Sequence, residues 1–218
     1  MSRVTDFFKA VSSRVVDRGA ELVGKYVRFD AAEQRLWLSQ ATVSAAMRRH
    51  NAGVGAVGLA LEATVADDTR LRVDITPKPF GPAGVLAVES ARVTISATEY
   101  ELVCQVGETD TPAALLLKVV PIVFGVMLGL GLEAPKVRSE GKSVTYGGAL
   151  PTESWLLTLI RGCGGLRSEV TLPITFGGGG VYLGLSGLLA PGAVIDPLVM
   201  VRALPGVLAW FGAGEQRG

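Results

Sequence analysis

The sequence predicts an α+β fold, with a curved antiparallel β-sheet packed on or wrapped around several apolar helices. Three observations carry this expectation. Apolar residues recur at helical spacing near the N-terminus and after Ser39, and alternate with period two through 59–75 and 166–185. Helices and strands also come in clusters, without the strict alternation of a parallel α/β protein. No long Ser-, Pro- or charge-rich linker divides the 218 residues, so one domain over 1–218 is expected.

The first element is an amphipathic helix over 3–26. At about 100° per residue, Val4, Phe7, Phe8, Val11, Val15, Leu22 and Tyr26 fall on one stripe, opposite Asp6, Lys9, Ser13 and Asp17. Arg3, Lys9, Arg14, Arg18 and Lys25 outnumber its acids, which suits an anionic membrane surface as well as a docked packing helix. Ser39 is a good N-cap for a second helix, ATVSAAMRRH, closing near Asn51 and Gly53 with His50 at its electronegative end. The period then changes to two. Leu59, Leu61, Ala63 and Val65 face Leu71, Val73 and Ile75 across a turn at Ala66-Asp67-Asp68-Thr69. Val93-Ile95-Ala97 and Tyr100-Leu102-Cys104 give two more strands or one long bent strand, with Cys104 in the core.

Asp110-Thr111-Pro112 supplies caps for an apolar helix over 113–132, whose run from Leu115 to Leu132 carries one charge, Lys118. A strand pair is expected around Val137–Tyr146, and a short helix, ESWLLTLIR, ends at Gly162. Leu166, Ser168, Val170, Leu172, Ile174 and Phe176 then alternate toward a four-glycine loop, Gly177–Gly180, and return through Val181, Leu183 and Leu185. Pro173 favours an edge position for its strand. Asp196-Pro197 can cap a last helix, LVMVRAL, ahead of Trp210 and Phe211.

Composition narrows the function. Hydrophobic residues make up 49% and charged residues 19%. The mean hydropathy is +0.40. Such a chain has more apolar surface than chemistry. A formal charge of +1 lacks the footprint of a phosphate-neutralising nucleic-acid binder. Cys104 and Cys163 form no metal-binding spacing, and the charged N-terminus lacks the apolar core of a secretory signal. Cytoplasmic residence is the expectation, with peripheral membrane contact through Phe7 and Phe8 or through Trp210 and Phe211.

Catalytic motifs fail on context. GVGAVG, with Gly53, Gly55 and Gly58, matches a dinucleotide fingerprint and has Asp74 at a suitable distance, yet helix precedes and strand follows, the reverse of what a pyrophosphate site needs. Close backbone packing at a helix-to-strand transition explains these glycines. Gly141-Lys142-Ser143 lacks the first glycine of a phosphate loop, and Ser139-Glu140-Gly141-Lys142 matches SxxK without its companion motifs. Gly184-Leu185-Ser186-Gly187 lacks the last glycine of a nucleophile elbow. Nothing pairs a nucleophile with a base or gathers metal ligands, so neither an enzyme nor a cofactor is expected.

LSQATVSAAMRRH followed by GVGAVGLALEATVADDTRLRVDIT, a short helix and then a long amphipathic hairpin, resembles the small bacterial relatives of the tubular lipid-binding proteins. That superfamily includes the bactericidal/permeability-increasing and synaptotagmin-like mitochondrial lipid-binding domains. The likeness covers under a quarter of the chain closely. It implies a strongly curved sheet around helices, with an apolar groove for acyl chains. Many bacterial relatives carry a secretion or lipoprotein signal that this sequence does not show.

The leading expectation is therefore non-enzymatic carriage of a lipid or other long apolar ligand between sheet and helices. Candidate lining residues are Leu59, Leu61, Val73, Ile75, Val93, Ile95, Leu172 and Ile174 from strands, with Leu116, Ile122, Phe124 and Leu128 from the apolar helix. For any one of them, ordinary core is the plainer alternative. A homo-oligomeric interaction protein and a membrane-embedded protein are the competing readings. The latter rests on the run 115–132 and its Gly125-Val126-Met127-Leu128-Gly129 face.

Overall fold

The alternating stretches of the chain, such as 70–75, 99–106 and 170–176, resolve into strands that bury every second side chain. The computed structural model describes residues 26–30, 32–55, 57–79, 84–107, 109, 111–130, 136–152, 154–162 and 169–188. The expected helices over 3–26 and at LVMVRAL, the contact residues Phe7, Phe8, Trp210 and Phe211, and Cys163 lie outside the described residues, Tyr26 excepted. The elements are β1 (Val27–Asp30), β2 (Arg35–Ser39), α1 (Gln40–Gly53), β3 (Gly58–Ala66), β4 (Arg70–Lys78), β5 (Gly84–Ile95), β6 (Glu99–Val106), α2 (Ala113–Leu128), β7 (Lys136–Glu140), β8 (Ser143–Ala149), α3 (Trp155–Gly162), β9 (Val170–Gly177) and β10 (Gly180–Gly184). Among the described residues ten strands form one open antiparallel sheet with three helices, an α+β architecture.

The sheet forks at β5. Its first half, Gly84–Val88, pairs with β4, and its second half, Ala91–Ile95, pairs with β9. The division coincides with a register shift between Val88 and Ser90 on the β6 side, an irregularity that re-aims the strand. β4 and β9 thus lie end to end beside β5, and β3 and β10 lie end to end outside them. Two hairpin turns meet at the join, where Gly179 N–H donates to Asp68 Oδ1 (3.0 Å) and Gln40 N–H donates to Gly179 O (2.9 Å). On the other side of β5 the order runs β6, β8, β7.

One face of this sheet builds the core. Leu71, Val73 and Ile75 on β4, Val93 and Ile95 on β5, Leu102 and Cys104 on β6, Tyr146 on β8, and Leu172 and Ile174 on β9 are each no more than 1% exposed. They join Val119, Val120, Phe124 and Met127 of α2 in a single cluster. At about 25 cal/mol per Å² of apolar area removed from water, this burial is the main stabilising term.

Local chemistry sets the helix ends. The Ser39 hydroxyl accepts from Thr42 N–H at 3.2 Å, the expected N-cap of α1. Ser39→Ala should lower unfolding free energy by about 1 kcal/mol, measured by urea titration. α2 departs from expectation at both ends. Pro112 occupies its N-cap without a side-chain bond, because the Thr111 hydroxyl donates instead to Val85 O at 2.9 Å. Gly129, at φ 69°, ends the helix four residues short of the expected 132. The terminal carbonyls are then taken up by Trp155 Nε1–H to Met127 O (3.1 Å) and by the Ser154 hydroxyl to Leu128 O (3.4 Å). No helix among the described residues is long and apolar enough to cross a membrane.

Pro173 corrects a second expectation. β9 is an interior strand between β10 and β5, and Pro173 is tolerated because the β9–β10 ladder stops one residue before it, at Ile174 opposite Leu183. Its ring covers Gly184, where a Cβ would come within 2.8 Å of Pro173 Cγ. The four-glycine loop shrinks to a two-residue turn, with Gly178 and Gly179 at φ 55° and 65° and Gly177 already paired with Gly180. Of the three fingerprint glycines, only Gly58 makes a close approach, to Val54 Cγ1 (2.8 Å from a built Cβ), while Gly53 and Gly55 have open space.

Candidate functional site

The twelve apolar residues nominated from sequence fall together on the inner sheet face and α2. Nine of them, Leu61, Val73, Ile75, Val93, Ile95, Phe124, Leu128, Leu172 and Ile174, are no more than 2% exposed and pack within the core cluster. Leu59, Leu116 and Ile122 are partly buried against it. The α2 positions with partial exposure, Leu115, Leu116, Leu117, Ile122 and Val126, form the margin of that core.

Leu116 also lines a groove. Where the first turns of α2 meet the end of β6 and the β7–β8 turn, Ala113 and Leu116 face Val106, Gly107 and Val144 around a cavity of ≈ 460 Å³. Thr109, Ser139 and Lys142 complete the wall. The SxxK pair Ser139 and Lys142 therefore stands at this rim, on β7 and in the turn after it. Apolar side chains on one wall and a cation with hydroxyls on another suit an amphiphile with an anionic or hydrogen-bonding head. The volume falls within the range of small-molecule sites, about 300–1,000 Å³.

A larger concavity, ≈ 840 Å³, lies on the solvent face of the sheet. Cross-strand register explains its shape. Thr94, Glu101, Gly147 and Lys136 form one row across β5, β6, β8 and β7, and Arg92, Val103, Thr145 and Arg138 form the next. Small residues make the floor because Gly147 lies against the neighbouring strand, where a Cβ would come within 2.7 Å of Tyr100 O. Arg138 and Glu101 approach to 3.5 Å across this floor, an exposed pair of small energetic weight. The lining carries three cations, Arg92, Lys136 and Arg138, and three carboxylates, Glu99, Glu101 and Glu169. It can hold polar groups of either sign.

Burial favours the neutral form of three groups inside the fold, Tyr100, Cys104 and Tyr146. Burial pushes the Cys104 thiol well up, withholding the reactive thiolate. Burial likewise raises Tyr100, whose ring meets Tyr146 edge-on at 5.5 Å. Tyr146 is raised beyond the ordinary phenol range by burial first and by Tyr100 second. Among the described residues no group of three or more His, Cys, Asp and Glu could hold a metal ion. His50, expected at a helix end, is there, but its Nε2 also lies 3.0 Å from Leu59 O.

Comparison with family models, with curated proteins and with solved structures found no match.

Proposed function

We propose that this chain is a non-enzymatic binding protein for a lipid or another long apolar molecule. The ligand enters beside Leu116 and lies along the exposed margin of α2, with the sheet curved around the apolar helices as in the tubular lipid-binding proteins it resembles. The observation that carries this reading is the ≈ 460 Å³ groove, where a residue nominated from sequence lines an open cavity at the mouth of the apolar helix. Each methylene removed from water there contributes about 0.8 kcal/mol before ordering costs, so affinity needs no charged contact. Lys142 at the rim favours an anionic head.

Native mass spectrometry of protein purified without detergent, followed by organic extraction, tests the proposal. One or two discrete adducts per chain are the expected result. A clean apo monomer overturns constitutive binding, and a clean oligomer points instead to an interaction protein. Leu116→Arg, at a half-buried position, should reduce adduct occupancy at least tenfold while the urea midpoint changes little.

A further inference from the structure

Among the described residues no strand pairs with the outer edge of β3, which is closed by side chains. β3 pairs with β4 on one side; along the other runs α1. The Gln40 carboxamide donates from Nε2 to Ala63 O (2.7 Å) and accepts at Oε1 from Val65 N–H (2.8 Å). Asn51 does the same for a single residue, donating to Leu61 O (2.8 Å) and accepting from Leu61 N–H (2.9 Å). His50 Nε2 meets Leu59 O at 3.0 Å; a carbonyl only accepts, so the imidazole carries its proton on that nitrogen.

A carboxamide has the donor and acceptor of a peptide group. Gln40 and Asn51, eleven residues apart, lie about three helical turns apart and so on one face of α1. The fork shows what they replace. β9 and β4 lie end to end beside β5, β10 and β3 lie end to end outside them, and in the next row β2 pairs with β10 and runs directly into α1. The helix occupies the place that a strand continuing β2 would take.

We propose that α1 is a strand surrogate that seals β3 against pairing with β3 of a second copy of this chain. Open edge strands recruit other strands, and β3 suits its own copy. An antiparallel two-fold pairing centred on Ala63 sets Leu61 opposite Val65 and Glu62 opposite Thr64, with no like charges in register. The backbone groups it would use on Leu61, Ala63 and Val65 include those now held by Gln40 and Asn51.

The test is light scattering on the full chain carrying Gln40→Leu and Asn51→Leu together, which keeps volume and removes both carboxamides. The expected result is a twofold rise in molar mass over the unsubstituted chain at micromolar concentration. Adding Thr64→Glu, which places a carboxylate against Glu62 of the second copy, should return the mass to its starting value. An unchanged mass in a folded double variant, or a rise that Thr64→Glu does not reverse, overturns the proposal. Should the double variant not fold, amide hydrogen exchange on the unsubstituted chain decides. Leu61 and Val65 exchanging as slowly as Leu102 and Val103 in the interior strand β6 supports the seal. Exchange as fast as in β7, the last strand in the order of the described sheet, overturns it.

Discussion

Leu128→Arg should unfold the protein rather than merely empty a site. Leu128 is 1% exposed, at the last turn of α2, where its carbonyl takes the Ser154 hydroxyl and its neighbour Met127 takes the Trp155 indole. Removing a buried leucine side chain costs about 2–5 kcal/mol. An arginine introduced there adds an unpaired charge that must leave the core or displace it, worth several kcal/mol more. The sum rivals the whole stability of a domain, about 5–15 kcal/mol. Urea unfolding followed by circular dichroism should show loss of the cooperative transition. Lys118→Glu, on the exposed side of the same helix, should stay within about 0.5 kcal/mol of the parent. A folded Leu128→Arg protein with an unchanged midpoint and lost ligand would instead mean that this end of α2 borders a cavity.

Leu128 also marks where sequence reasoning stops. Alternation in Leu71-Val73-Ile75 and Leu172-Ile174-Phe176 reports which side chains share a face, because period two is a local property of the strand. Burial follows it at every one of these positions. Ser39 as an N-cap, the turn at Asp67-Asp68 and the core placement of Cys104 were legible for the same reason: each depends on neighbours within a few residues. Periodicity cannot tell a packed core from a lined cavity, since both are apolar and inward-facing. The nine most buried nominees could not be separated by pattern from Leu116, which borders a groove.

Long-range partners were also beyond reach. Gln40 binds Ala63 and Val65 across 23 and 25 positions, and no local signal distinguishes it from a solvated helix residue. The solvent-face concavity arises from register, which sets Thr94, Glu101, Gly147 and Lys136 in one row although they come from four strands. The end of α2 was a matter of competition. An apolar run to Leu132 argued for continuation, and Gly129 won because its left-handed conformation closes the helix with a backbone bond to Gly125. Pro173 was misplaced because a proline's cost in a sheet depends on where the neighbouring ladder ends, a property of the partner strand.

Gly180→Val should be the most disruptive single change on the β10 wing, costing about 3 kcal/mol or more. Gly180 pairs with Gly177 on one side and with Ser39 on the other, and a side chain there would collide with the Leu38 carbonyl and the Trp37 indole. The carbonyl belongs to the adjacent strand and cannot move without opening the ladder, so the overpacking has no cheap relief. The indole cannot swing clear freely either, because the Arg28 guanidinium lies 4.9 Å from its centroid. Gly179, one residue earlier, isolates the alternative cause. It has open space around its Cβ position but a φ of 65°, so Gly179→Ala should cost only the left-handed penalty, about 1–2 kcal/mol. Thermal unfolding of the two variants, with Trp fluorescence read at low temperature, separates the mechanisms. Gly180→Val should shift both the melting point and the native emission, whereas Gly179→Ala should shift the melting point alone. Equal effects would mean that the join between the two hairpins, where Gly179 bridges Asp68 and Gln40, governs this wing more than the packing of Trp37 over β10.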